Sequence, residues 1–275
     1  MGVFEGLRIN AGKNGSSIFR LQDHTDRFFQ SVQILDMQLS LKKDQVNDAV
    51  IETAKKNKLA SGYLRLLAYF GAEEMEPHVQ GMKSRVLIAE WEMGDLYSSK
   101  ETERGLRLHT SSFRHLPVTS VMCRAKATGN YISLILSTHE AKAAGYNSAL
   151  ILDAQGCVAE TSGANIFIVR KGVIYTPTEL SILLGITRNS VFSIARDLNL
   201  ELIVKNITRD EVYTADEMFI TGTAVEIQAV CDVDGRKIGT GSIGTITKKI
   251  QQSYHKITRG LDEKYSDWLT PIHFH

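Results

Sequence analysis

The sequence predicts an α+β fold in two domains, a small α/β unit over residues 1–100 and a larger unit of mixed sheets and helices over 101–275. Three observations carry this. Helical apolar spacing and β-rich runs are interspersed without the strict alternation of a doubly wound parallel sheet. Strand pairs bracket short turns at Asp153-Ala154-Gln155-Gly156, Lys171-Gly172 and Asp234-Gly235. Between Gly94 and Glu103 the chain turns polar, through Ser98, Ser99, Lys100 and Glu101, as a connector would.

The first elements follow in order. Met1 to Arg8 opens directly on an apolar segment, without the polar fraying common at a terminus. Leu21, Phe28, Val32 and Leu35 form a helical stripe over Leu21–Met37, with Asp23 as an early acidic cap. Val46, Val50, Ile51 and Ala54 predict a second helix over Lys43–Lys56. Gly62–Phe70 and Arg85–Trp91 change period and read as strands.

Beyond the connector, Lys126 precedes an apolar run that reads as a strand, and a helix is expected over Thr138–Ala144. Strands follow at Leu150–Leu152, Cys157–Ala159, Ile166–Val169, Val173–Tyr175 and Met218–Ile220. Helices are expected over Thr187–Leu198, Arg209–Thr214 and Ile243–Thr258.

Composition narrows the partners. A formal charge of +1 and a pI near 7.7 supply no basic field for nucleic acid or an anionic membrane. No run approaches the length of a membrane span. Cys123, Cys157 and Cys231 have neither zinc-site spacing nor an even count, which suits a reducing, cytoplasmic setting and predicts no metal site. Small molecules and other copies of the chain remain as partners.

Several residues could carry chemistry. Lys126 lies among small residues in Arg124-Ala125-Lys126-Ala127-Thr128-Gly129, where a lysine could attack a carbonyl if its site were partly dry. Glu160, after Cys157-Val158-Ala159, is either a solvated turn glutamate or a carboxylate facing a cofactor's ring nitrogen. Gly185-Ile186-Thr187 opens a helix whose bare N–H groups suit a phosphate, and Thr187 would equally serve as a plain N-cap. Thr221-Gly222-Thr223-Ala224 is either a tight turn or a nest of amides for an anion. Tyr63 and Arg65 share one face of a strand, suited to a carboxylate or to a structural acidic partner.

Taken together these segments resemble the class IV, fold type IV aminotransferases, and among them the branched-chain L-amino-acid enzymes. The match runs from Val3-Phe4-Glu5-Gly6-Leu7-Arg8 through Ile18-Phe19-Arg20-Leu21-Gln22-Asp23-His24-Thr25-Asp26-Arg27 to Trp268-Leu269. The resemblance implies pyridoxal 5'-phosphate, carried by Lys126, which would also shuttle a proton at the substrate's α-carbon. It implies that Tyr131 bonds the ring's phenolic oxygen, Glu160 its nitrogen, and Arg27, Ile186, Thr187 and Thr223 its phosphate. Leu183 would pack on the ring, and Gly222 would leave it room.

For the substrate it implies an apolar wall from Phe4, Tyr63 and Phe113, the Thr223 and Ala224 amides on the α-carboxylate, and Arg65 on glutamate's distal carboxylate. Amino acids and 2-oxo acids would then exchange an amino group in ping-pong fashion, with a homodimer or higher assembly completing the pocket. The same fold would also accommodate a D-amino-acid aminotransferase, an aminodeoxychorismate lyase or a non-catalytic oligomerising chain. Three departures from the family pattern stand out. The loop Gly71-Ala72-Glu73-Glu74-Met75-Glu76-Pro77 is bulky and acidic, Glu160-Thr161-Ser162-Gly163-Ala164-Asn165 replaces a commoner Glu-Gly-Ser-Gly-Glu-Asn, and about thirty residues that make a first hairpin are expected ahead of Phe4.

Overall fold

The structure, a computed structural model, describes residues 1–71, 82–94 and 96–274. Two compact units emerge: Met1–Gly94 with Arg124–Gly129 and Lys256–His275, and Asp95–Cys123 with Asn130–His255. The Lys126 segment and the C-terminal stretch group with the first unit, which linear composition does not reveal.

The first unit opens with strands β1 (Gly2–Gly12) and β2 (Gly15–Phe19), helices α1 (Leu21–Ile34) and α2 (Lys43–Asn57), and strands β3 (Gly62–Phe70) and β4 (Ser84–Trp91). Leu7, Ile9, Leu64 and Leu66 from the sheet meet Phe28, Val32, Val46 and Val50 from the two helices in one buried core. Asp23 is not the cap of α1. Arg20 holds that position in a left-handed conformation (φ 51°), and Asp23, in the first turn, accepts from its Nε and Nη2 at 2.8 and 2.6 Å. The unusual backbone is held from outside, by a hydrogen bond from Arg20 N to Trp268 O and by the guanidinium stacked 4.4 Å from the Trp268 ring.

The second unit comprises α3 (Ser99–Arg104), β5 (Leu106–Arg114), α4 (Ile132–Ala143), β6 (Ser148–Leu152), β7 (Val158–Thr161), β8 (Asn165–Arg170), β9 (Val173–Thr176), α5 (Ile186–Asp197), β10 (Leu202–Val204), α6 (Arg209–Tyr213), β11 (Glu217–Gly222), β12 (Glu226–Val233), β13 (Arg236–Lys237) and most of α7 (Thr245–Thr258). The chain then returns to the first unit through β14 (Leu269–Ile272), which completes an antiparallel sheet ordered β14-β2-β1-β3-β4.

Two expectations change here. The polar connector contains α3, opened by a capping box in which Ser98 Oγ accepts from Glu101 N and Glu101 returns to Ser98 N. The Ser-x-x-Glu spacing is the signal for it. The apolar run after Lys126 is helix α4, not a strand. Leu134, Ser137 and Ala141 face inward while Ile132, Ile135 and Leu136 are exposed, so apolar residues cover more than one face and mask the helical period.

The sheet of the second unit runs β10-β9-β8-β11-β12-β5-β6-β7, and β7 also pairs with β8, so six strands close on themselves. Parallel pairs at β5–β6, β12–β5 and β9–β10 lie among the expected hairpins. Strand alternation sends Ile166, Ile168, Met218 and Ile220 into the enclosed core. Phe167 and Phe219 point the other way and stack at 4.9 Å, with Phe192 of α5 against Phe167. The closing pair is Glu160 with Asn165.

Candidate functional site

In the first unit, Phe4, Arg65 and Lys126 come together. Phe4 N donates to Lys126 O at 3.0 Å, and Lys126 N donates to Ser31 Oγ at 3.0 Å, so the loop carrying the lysine is bound to both β1 and α1. Lys126 Nζ lies 4.8 Å from the Phe4 ring centre and the Arg65 guanidinium 4.6 Å from it. One aromatic ring thus serves two cations, which orients both without neutralising either. Arg65 Nε is buried with no hydrogen-bond partner. Tyr63, on the same face, is buried with its ring across β1, and a side chain on Gly6 would run into its hydroxyl.

Beneath the lysine loop, Arg27 Nε and Nη2 donate to the two oxygens of Glu5 at 2.7 and 2.8 Å, and His24 Nδ1 donates to Glu5 at 2.7 Å. Glu5 is wholly buried. Burial pushes its carboxyl up, but the Arg27 charge and the bonds from Arg27 and His24 bring it down to about 2. His24 is held below its ordinary value, first by burial and then by the Arg27 and Lys126 charges against the pull of Glu5, so it sits neutral. Two donor atoms of Arg27, a residue expected on a phosphate, are therefore engaged by Glu5.

In the second unit, Glu160 is 6% exposed on β7. The turn after it is closed by Thr161, whose N donates to Ala164 O and whose Oγ1 accepts from Ala164 N at 3.0 Å. Glu160 Oε2 is 3.4 Å from both Asn165 Nδ2 and Leu183 N, and Asn165 also donates to Leu183 O at 3.0 Å. Leu183, which the resemblance places on the ring, thus meets Glu160 both directly and through Asn165. Oε1 faces His115 Nε2 at 3.1 Å. His115 stands in an irregular loop with no periodicity to mark it, and Asn165 carries only a polar side chain in a turn motif. Neither was singled out by the sequence.

Helix α5 begins one residue earlier than expected. Its N-cap is Gly185, and Thr187 is the second helical residue, 2% exposed, so Thr187 is not the cap. The N–H groups of the first turn lie ahead of the intrahelical ladder and no acidic residue competes for them. The β11–β12 hairpin turns at Thr223 and Ala224, and Thr221 Oγ1 is buried there with no hydrogen-bond partner. A side chain on Gly222 would come within 3.1 Å of Gly163 O. Tyr131 ends the short 3₁₀ turn leading into α4 and is half-buried, and Phe113 is 37% exposed near the end of β5. Ala72 to Pro77 of the acidic loop lie outside the described residues.

The first unit thus sets a lysine on an aromatic face, and the second holds a buried carboxylate with one oxygen on long contacts and a helix with no acidic residue in its first turn. Comparisons with known proteins identify the family. The family described as amino-transferase class IV matches residues 2–233. The branched-chain-amino-acid aminotransferase of Pseudomonas aeruginosa is 44% identical over 272 residues, covering 99% of this chain and 89% of that protein. The crystal structure of the branched-chain aminotransferase of Thermoproteus uzoniensis with norvaline superposes with a TM-score of 0.94 at 40% identity, over 99% of this chain and 90% of that one. The holo form of the Thermobaculum terrenum branched-chain amino acid aminotransferase, with pyridoxal phosphate, gives 0.93 at 33% identity over the same shares of the two chains. The chain belongs to the class IV aminotransferases, with the fold type IV architecture the sequence anticipates.

Proposed function

We propose that the chain is a branched-chain-amino-acid aminotransferase, moving the amino group of leucine, isoleucine or valine to 2-oxoglutarate with pyridoxal 5'-phosphate as cofactor. The observation that carries this is the Phe4 ring with Lys126 and Arg65 both on it, in a chain of this family. It unites a proton-transfer amine, a carboxylate-binding cation and an apolar surface for an aliphatic side chain.

When bound, the cofactor supplies an aldehyde that takes up the amino group and a ring that draws electrons from the substrate's α-carbon. Lys126 would hold that aldehyde and carry a proton at the substrate's α-carbon on Nζ. Glu160 would accept from the ring nitrogen and Tyr131 would donate to the ring's oxygen. The first-turn amides of α5 at Ile186 and Thr187, with Thr223 and Arg27, would receive the phosphate. Leu183 would pack on the ring, and Gly222 would leave it space. Arg65 has an unmet buried donor for the distal carboxylate of glutamate, while Phe4 and Tyr63 offer leucine an apolar surface with Phe113 at its edge. The Thr223 and Ala224 amides bind the α-carboxylate.

The partner in assembly is a second copy of the chain. Met122, Ile132, Ile135 and Leu136 are 61, 64, 52 and 42% exposed, an apolar surface suited to burial in a homodimer, which sedimentation would register as twice the chain mass. No helix of the described residues is long and apolar enough to cross a membrane, and no cluster of metal-ligating side chains is present among them. The three cysteines are free thiols, which suits the cytoplasm.

The test is spectroscopic. The purified chain with added pyridoxal phosphate should acquire a visible absorbance band that Lys126→Ala abolishes, with turnover of L-leucine falling by roughly a thousandfold or more. A wild-type chain that acquires no such band would contradict the reading.

A further inference from the structure

Both ring nitrogens of His115 face oxygen acceptors. Nε2 lies 3.1 Å from the Glu160 carboxylate and Nδ1 lies 3.2 Å from the carbonyl oxygen of Leu116. A carbonyl oxygen only accepts, and so does an ionised carboxylate. A neutral imidazole has one N–H and could satisfy one of them, whereas an imidazolium satisfies both. The ion pair is well enclosed, with side-chain exposures of 10% for His115 and 8% for Glu160.

We propose that His115 is a positioning residue for the reaction: as an imidazolium anchored on the Leu116 carbonyl, it holds the Glu160 carboxylate turned so that its second oxygen is the acceptor for the cofactor's ring nitrogen. This deepens the transaminase reading and rests on it. Turned this way, the carboxylate presents Oε2 as an acceptor while Oε1 is held by His115. Oε2 remains suited to this role because its contacts, to Asn165 Nδ2 and Leu183 N, are both long at 3.4 Å.

The surroundings support the charge state. Burial pushes His115 down, but hydrogen bonding to Cys123 and Glu160 and the charge of Glu160 raise it to about 10. The titratable groups facing it are Glu160 from β7 and the Cys123 thiol from its own loop, 3.9 Å from Nδ1. Arg114, the preceding residue, is turned onto the Ser111 carbonyl at 2.7 Å. Geometry favours Glu160 as the dominant partner, since the thiol also lies 3.8 Å from Leu116 O and 3.9 Å from Val121 O.

The experiment has two arms. In the cofactor-free chain with ¹⁵N-labelled histidine, NMR at pH 8 should find His115 protonated on both nitrogens, and Glu160→Gln should return its titration to the ordinary histidine range near ~6.5. A singly protonated His115 at pH 8 overturns the proposal. In the cofactor-loaded chain, His115→Gln removes the charge and His115→Arg keeps one. The Gln variant should bind pyridoxal phosphate about tenfold more weakly and shift the pH profile of the bound cofactor's absorbance, and the Arg variant should restore both. Affinity and pH profile equal to wild type in the Gln variant overturn the role. A wild-type chain that binds no cofactor overturns the functional reading, and this role with it, while the proton count on His115 in the cofactor-free chain still stands.

Discussion

Each unit buries a glutamate against a histidine, and the two histidines differ in charge state. Glu5 in the first unit already has Arg27 on both its oxygens, so His24 adds a hydrogen bond and stays neutral. Glu160 in the second unit is paired with His115, which hydrogen bonding to Cys123 and Glu160 and the Glu160 charge raise to about 10, against the opposing effect of burial. A buried carboxylate takes about one positive charge, and whichever neighbour supplies it best becomes the cation. The first pair is closed, an ion pair with all parts engaged beneath the lysine loop. The second keeps one oxygen, Oε2, on two long contacts.

The widest separation between the pairs should come from removing each carboxylate. Glu5→Gln leaves Arg27 buried with no anion, and an arginine cannot discharge itself by losing a proton. The loss should be about 3–5 kcal/mol in chemical denaturation of the cofactor-free chain. Glu160→Gln leaves His115, which can give up its proton and become neutral. The stability loss should stay at ~1–2 kcal/mol, and if Glu160 pairs with the ring nitrogen as proposed, transamination should collapse. Equal stability losses in the two variants would erase the distinction.

A smaller effect separates the pairs by pH. The folded value for Glu5 is about 2 against an ordinary 4.5, so its contribution is complete above 4.5 and is lost as pH falls through 2. The folded value for His115 is about 10 against 6.5, so its contribution is complete below 6.5 and is lost as pH rises through 10. Urea midpoints taken from acid to alkaline pH should therefore lose the first contribution at the acid end and the second at the alkaline end. Glu5→Gln should flatten only the acid limb and His115→Gln only the alkaline one.

Much of this was legible in sequence because it is local. The aromatic and aliphatic run Gly62–Phe70 defined that strand to the residue, and the glycine ahead of Ile186 marked the start of α5 to within one position. The segments bearing Lys126, Glu160 and Thr187 were recognisable as those of one family. What sequence did not disclose depends on partners far apart in the chain. His115 meets Glu160 across 45 positions, and Lys126 is bound to Ser31 across 95. Ring closure at Glu160 and Asn165 leaves no periodic trace. Helix α4 was hidden by its own exposed isoleucines, which are surface in one chain and suited to an interface between two.

The central claim, that this chain transfers amino groups from branched-chain L-amino acids, is tested most directly by a half-reaction. The chain loaded with pyridoxal phosphate should be mixed separately with L-leucine, L-glutamate, D-alanine and aminodeoxychorismate while the cofactor's visible band is followed. Loss of the band with L-leucine and L-glutamate, with formation of the matching 2-oxo acids, is the predicted result. Reaction with D-alanine and none with L-leucine would contradict it.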